Sequence, residues 1–231
     1  MLQETKVIGG IKVNIYGEKS DKVYFFIHGQ YGNKEEAAAF ASLAEPKGWQ
    51  VLSMDLPGHG ERQDEGYALY PWVVAPDLKK IWNFMGLHWE HVAIRANSIG
   101  AWFCLKFFQF KRMEKCLFVS PVLDMEQLIL KMMKEAGVSE QRLQGEKFIK
   151  LDEANVLSWE FLHCVRSFNI RNWPVETHIL YGAKDTMLDN NTFTAFAKRF
   201  NCALAVMEEG EHWFHTPEQL AFLQAWEQKN I

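Results

Sequence analysis

His91-Val92-Ala93-Ile94-Arg95-Ala96-Asn97-Ser98-Ile99-Gly100-Ala101-Trp102 reads as a short buried strand that breaks directly into a helix. The break has the form small-x-Ser-x-small, with Ala96, Ser98 and Gly100 in the defining places. A serine on so tight a turn stands above the strand end. Side chains two positions to either side would collide with neighbouring backbone unless they were small. The helix that follows aims its first amides at whatever oxygen reacts there. The pentapeptide alone is common in loops; its place between a strand and a helix gives it meaning.

Outward from this point, strands and helices alternate. Upstream, Val23, Tyr24, Phe25, Phe26 and Ile27 form an unbroken apolar run ending at His28 and Gly29, which suits a strand covered on both faces. Residues 34–43 are alanine-rich and helical, stopped by Pro46 and Gly48. Residues 50–54 form a strand, and 76–85 a helix with Pro76 in its first turn, where a missing N–H costs nothing. At the N-terminus, strands 5–8 and 11–16 are joined at Gly9 and Gly10, a hairpin signal. Downstream, the helix after Ser98 runs to about Lys111. Strands follow at 116–119, 176–181 and 203–207, with helices at 192–200 and 217–228. This order predicts an α/β fold: a doubly wound, mostly parallel sheet with an N-terminal antiparallel hairpin.

Residues 122–173 break the alternation, and no convincing strand is found there. Met125, Leu128, Ile129, Met132, Met133 and Ala136 fall on one helical face, opened by Asp124 and Gln127 in a near capping box. A second helix over 158–168 presents Trp159, Leu162, Cys164 and Val165. The segment reads as a helical cap insertion, dividing the chain into a core of residues 1–121 and 174–231 and a cap of 122–173. A Met-rich face serves as core, and also as an adaptable lining for apolar ligands.

Composition excludes several functions. The 231 residues are 48% apolar and 14% aromatic, ample to offset chain entropy, so whole-chain disorder is ruled out. Twenty-five Lys and Arg against 29 Asp and Glu leave a charge of −4, with no basic stripe for nucleic acid. No apolar run reaches the roughly 20 residues of a membrane span, and the N-terminus lacks the apolar stretch of a secretory signal. Cys104, Cys116, Cys164 and Cys202 are scattered, which predicts free thiols in a reducing, cytoplasmic setting rather than a disulfide or metal framework. Oligomeric state leaves no trace in the sequence.

Three strand ends carry residues of a nucleophilic triad: Ser98, Asp185 and His212, in the order Ser, acid, His. Ser98 is expected to attack, His212 to take and return its proton, and Asp185 to orient the imidazole. The oxyanion requires two backbone donors. Ile99 N–H is one, and Gln30 N–H, with Tyr31 as the next choice, is the other. Tyr31, Trp102, Met125, Trp159 and Trp213 are candidates for lining the substrate site. Asp124, the competing acid, reads as a helix cap. His215, three residues after His212, reads as a structural contact near the following helix, since no third metal ligand lies close in sequence. His28 and His59 read as structural, and Arg95, if buried, needs a partner.

Together these motifs resemble the α/β-hydrolases over nearly the full chain. They are His28-Gly29, the turn Asp55-Leu56-Pro57-Gly58-His59-Gly60, the elbow at Ser98, Leu180-Tyr181-Gly182 leading to Asp185, and Gly210-Glu211-His212. The small size and single helical insertion resemble the small serine esterase, feruloyl-esterase-like branch, which implies cleavage of acyl esters without cofactor or metal. Ala96 stands where Gly is usual and Asn97 where His is frequent; Asn97 is expected to face away from the line of attack. The implied activity is hydrolysis of a small, largely apolar carboxylic ester through an acyl-enzyme on Ser98. Thioester cleavage and carbon–carbon bond hydrolysis or lyase chemistry use the same machinery. A ligand-binding protein without catalysis is the alternative of a different class.

Overall fold

A computed structural model describes residues 2–66, 69–152 and 155–231. The chain runs β1 (Gln3–Ile8), β2 (Ile11–Tyr16), β3 (Lys22–Ile27), α1 (Ala37–Ala44), β4 (Gln50–Met54), α2 (Pro71–His88), β5 (His91–Asn97), α3 (Ile99–Phe108) and β6 (Lys115–Val119). It continues through α4 (Met125–Glu135), α5 (Glu140–Glu146), the short strands β7 (Phe148–Lys150) and β8 (Val156–Ser158), and α6 (Trp159–Arg166). It closes with β9 (Glu176–Gly182), α7 (Asn190–Phe200), β10 (Ala203–Met207) and α8 (Pro217–Asn230).

Eight strands form one sheet in the order β1-β2-β4-β3-β5-β6-β9-β10. β1 and β2 pair antiparallel, as do β2 and β4, and all the remaining pairs are parallel. The unbroken apolar run of β3 has a simple cause. Successive side chains of a strand point to opposite faces, and here both faces are covered. Val23, Phe25 and Ile27 enter the core shared with α2, α3 and α7. Tyr24 and Phe26 enter a second core with Phe40 of α1 and Trp226 of α8. β5 lies between β3 and β6, with Ile94 opposite Phe25 on one side and Cys116 on the other. The strand that delivers Ser98 is therefore central and held from both edges.

Three details differ from the sequence reading. First, α2 begins at Pro71, five residues before Pro76. Pro71 takes the first-turn place assigned to Pro76, and the Tyr70 carbonyl accepts from the Val73 and Val74 amides. Pro76 lies inside the helix, where it withholds one bond from the Trp72 carbonyl of the first turn. Second, residues 122–173 are not purely helical. Between α5, which the periodicity did not reveal, and α6 stands the antiparallel pair β7–β8. These strands are three residues each, too short to show an alternation. Third, the first turn of the helix expected at 34–43 is a tight 3₁₀ turn over Lys34–Glu36. Cys104 and Cys116 are buried, Cys164 and Cys202 half-buried, and all four are free thiols. Among the described residues, no helix is long and apolar enough to cross a membrane.

Candidate active site

Ser98 occupies the turn between β5 and α3 with φ 48° and ψ −120°, a left-handed conformation that L residues rarely adopt. Such a residue costs about 1–3 kcal/mol and persists only where its surroundings hold it. Three hydrogen bonds do so. Ser98 N–H donates to the Val119 carbonyl at 3.0 Å, and the Ser98 carbonyl accepts from Ala101 N–H at 3.1 Å and Val122 N–H at 3.0 Å. The small residues are explained by close approach. A Cβ on Gly100 would lie 2.6 Å from the His28 carbonyl oxygen and 2.7 Å from that of Ile27. Ala96 is fully buried, and its methyl is accommodated.

His212 arrives from the loop after β10, and Asp185 from the turn after β9. Parallel pairing sets β9 and β10 side by side. Their loops are then tied together: Ala183 N–H donates to the Met207 carbonyl and Lys184 N–H to the Gly210 carbonyl, both at 2.9 Å. His212 Nε2 lies 2.9 Å from Ser98 Oγ, and His212 Nδ1 lies 2.6 Å from Asp185 Oδ2. With Nδ1 donating to the carboxylate, Nε2 is the ring atom that faces the Ser98 hydroxyl. The other carboxylate oxygen, Oδ1, accepts from Met187 N–H at 2.8 Å. Asp185 is buried, while the His212 side chain is one quarter exposed.

Behind the serine, His28 is fully buried. Its Nε2 accepts from Leu56 N–H at 2.9 Å, so Nδ1 carries the proton and donates to the Gly29 carbonyl at 2.7 Å. Burial lowers its pKa to about 4, keeping the ring neutral. It braces the loop that follows β3 against the turn that follows β4. Arg95 finds the partner that sequence could not name: its Nε donates to Glu227 Oε1 of α8 at 2.7 Å, and both side chains are buried. Arg95 Nη1 donates to Asn97 Oδ1 at 2.5 Å, and Asn97 also meets the Glu36 carboxyl, whose pKa burial raises.

Ile99 opens α3, and amides in the first turn of a helix have no intrahelical acceptor. Gln30 borders the cavity at Ser98, and its side chain reaches Asn155 Oδ1 at 3.4 Å. Tyr31 has φ 65° and an exposed side chain.

The cavity at Ser98 measures about 80 Å³. Of the five residues expected to line the substrate site, Met125 borders it. Trp102 is buried and faces a second cavity. Trp159 packs at the edge of the main core, Trp213 is exposed and stacks on His215, and Tyr31 is exposed. The apolar wall includes instead Leu128, Ile129 and Met132 of α4 with Tyr70, Leu157 and Phe161. The α4 residues belong to the Met-rich helical face legible in the sequence. Tyr70 and Leu157 carry no local signal, because they reach the cavity from a loop and from a three-residue strand.

The competing residues make contacts of their own. Asp124 caps α4, accepting from Gln127 N–H at 2.9 Å. His215 Nδ1 bonds the Trp213 carbonyl at 2.8 Å, just before the capping box of α8. His59 is buried with Nδ1 3.0 Å from the Pro57 carbonyl.

No protein-family model matches this sequence, and no curated protein is similar to it in sequence. Solved structures do match it in shape. Est1E from Butyrivibrio proteoclasticus, in a structure with ferulic acid bound, has a TM-score of 0.78 at 15% identity, covering 98% of this chain and 97% of that one. A hydrolase structure from Agrobacterium vitis S4 has a TM-score of 0.76 at 14% identity, covering 97% of each chain. Alpha/beta hydrolase domain-containing protein 10 from mouse has a TM-score of 0.75 at 12% identity, covering 100% of this chain and 98% of that one. The sheet order, the serine turn after the central strand and this likeness over whole chains together show that the chain has the α/β-hydrolase fold.

Proposed function

We propose that the protein is a serine hydrolase that cleaves a small, largely apolar carboxylic ester through an acyl-enzyme on Ser98. The observation that carries this reading is the continuous relay Ser98 Oγ, His212 Nε2, His212 Nδ1, Asp185 Oδ2, with contacts of 2.9 and 2.6 Å. As Ser98 Oγ attacks the ester carbonyl, His212 takes the hydroxyl proton, and Asp185 stabilises the imidazolium without accepting the proton itself. The amides of Ile99 and Gln30 receive the oxyanion. Collapse of the tetrahedral intermediate breaks the C–O bond, and His212 hands its proton to the departing alcohol. Water then attacks the acyl-enzyme by the reverse proton path, releasing the acid and free Ser98.

The cavity supports a short aliphatic acyl group. A cavity of roughly 150 Å³ holds a benzene ring, and the space at Ser98 is about 80 Å³. Polar side chains on its wall engage one another: Gln30 bonds Asn155, and Tyr70 bonds Ser158. That arrangement favours an apolar acyl group over a substrate that must be read by polar contacts. The test is turnover of p-nitrophenyl acetate and butyrate together with labelling by a fluorophosphonate. Wild-type protein is expected to do both, and Ser98→Ala neither. Normal turnover in Ser98→Ala removes the serine from the mechanism, and a folded wild type that is not labelled removes the hydrolase reading.

A further inference from the structure

Among the described residues, two cavities share one bordering residue. The small cavity contains Ser98. The second, about 530 Å³, lies among α4, α7 and the segment after α6; Trp102, Val165 and Phe196 are among its apolar lining, and Glu126, Asp189 and Arg199 give it a charged side. Met125, the first residue of α4, borders both and is only 3% exposed. The Asp124 cap and the bond from Asp189 N–H to Gln127 Oε1 hold this end of α4 against α7. The backbone on either side of Met125 is thus anchored, and Met125 is the described residue at which the two spaces adjoin.

We propose that Met125 is the specificity-determining residue for acyl length: its side chain closes the way from the pocket at Ser98 into the second cavity. An acyl group in the wild-type enzyme ends at Met125. With that side chain shortened, the tail of a longer unbranched acyl group lies in the second cavity, beside Trp102 and Phe196. Leu128 and Ile129 border the small cavity alone, so shortening either one enlarges the pocket without joining the two spaces. The inference rests on Ser98 as the acyl acceptor.

The experiment compares wild type, Met125→Ala and Ile129→Ala on p-nitrophenyl butyrate and decanoate. Each buried methylene is worth roughly a factor of four. The decanoate-to-butyrate ratio of kcat/KM is therefore expected to rise at least tenfold (about 1.4 kcal/mol) in Met125→Ala, and by about fourfold or less in Ile129→Ala. An unchanged ratio in Met125→Ala, an equal rise in both variants, or wild type that already prefers decanoate overturns the proposal. Met125→Val keeps more of the packing and is expected to shift the ratio in the same direction, which answers the question should the alanine variant fail to fold. A second readout needs no turnover: calorimetric binding of 2-pentanone and 2-undecanone. Tighter 2-undecanone binding by Met125→Ala but not Ile129→Ala supports the partition even in a protein that no fluorophosphonate labels. Labelled, active protein in which neither ketone binding nor the ester ratio changes leaves the hydrolase reading intact and removes Met125 from it.

Discussion

Gly182 and Gly210 meet backbone to backbone: a Cβ placed on Gly182 would lie 2.2 Å from the carbonyl carbon of Gly210. This contact lets the loop bearing Asp185 and the loop bearing His212 close on each other. Gly182→Ala is expected to force them apart, at about 1–3 kcal/mol of stability, the usual cost of overpacking. A shift of about 1 Å between reacting groups can cost 10²-fold in rate, so ester turnover is expected to fall by about that factor. Gly86→Ala is the control, because a Cβ there meets nothing within 4 Å. It reduces unfolded-chain entropy equally and is expected to stabilise by about 0.4–1 kcal/mol. Urea unfolding and initial rates on the two variants decide the matter; similar values for both would show that the glycine contact does not position the pair.

His28 predicts a specific dependence of stability on pH. Burial lowers its pKa from 6.5 to about 4. The unfolded chain therefore binds a proton that the folded chain refuses between those values, and stability rises with pH across that window. The contribution is fully present above pH 6.5 and is lost as pH falls through about 4, some 3 kcal/mol in all. His28→Asn is expected to be destabilised at pH 7, and its deficit against wild type is expected to shrink by about 2–3 kcal/mol at pH 4.5. A deficit that stays constant across urea titrations at the two pH values would mean the ring is free to protonate in the fold.

Lys34 and Asp55 make a buried ion pair of 2.8 Å, with 1% and 2% side-chain exposure. Burial alone would lower the Lys34 pKa. Asp55, Glu35 and Glu61 outweigh it and hold the ammonium above its usual value. Asp55 also accepts from the amides of Lys34 and Glu61, so it clamps the turn after β4 to the segment before α1. Removing one partner of a buried pair strands the other and costs about 3–5 kcal/mol. Lys34→Met, which removes the cation from buried Asp55, is expected to lose that much in denaturant unfolding. Asp55→Asn is expected to lose less, because Glu35 and Glu61 still face the ammonium at 3.0 and 3.1 Å. The double variant is expected to cost less than the two singles together. Losses below about 1 kcal/mol would show that water reaches the pair.

The amino-acid sequence by itself determined the sheet and the chemistry-bearing turns. Apolar runs such as 23–27 specify a strand with both faces buried, because each residue must leave water whichever way it points. Small residues around Ser98, and the succession of Ser98, Asp185 and His212 at strand ends, are local facts that backbone sterics make readable. Only the tertiary structure decided which distant groups meet. Arg95 and Glu227 are 132 residues apart and pair because α8, packed on α1 and β9, brings Glu227 to the Arg95 guanidinium. Tyr70 and Leu157 reach one cavity from a loop and a short strand, and Met125 borders two spaces that no periodicity describes. The start of α2 and the β7–β8 pair also depended on packing, since a second proline offers an equal N-terminus and three-residue strands carry no pattern. Local sequence reports how a residue is buried; register and packing between elements decide against what.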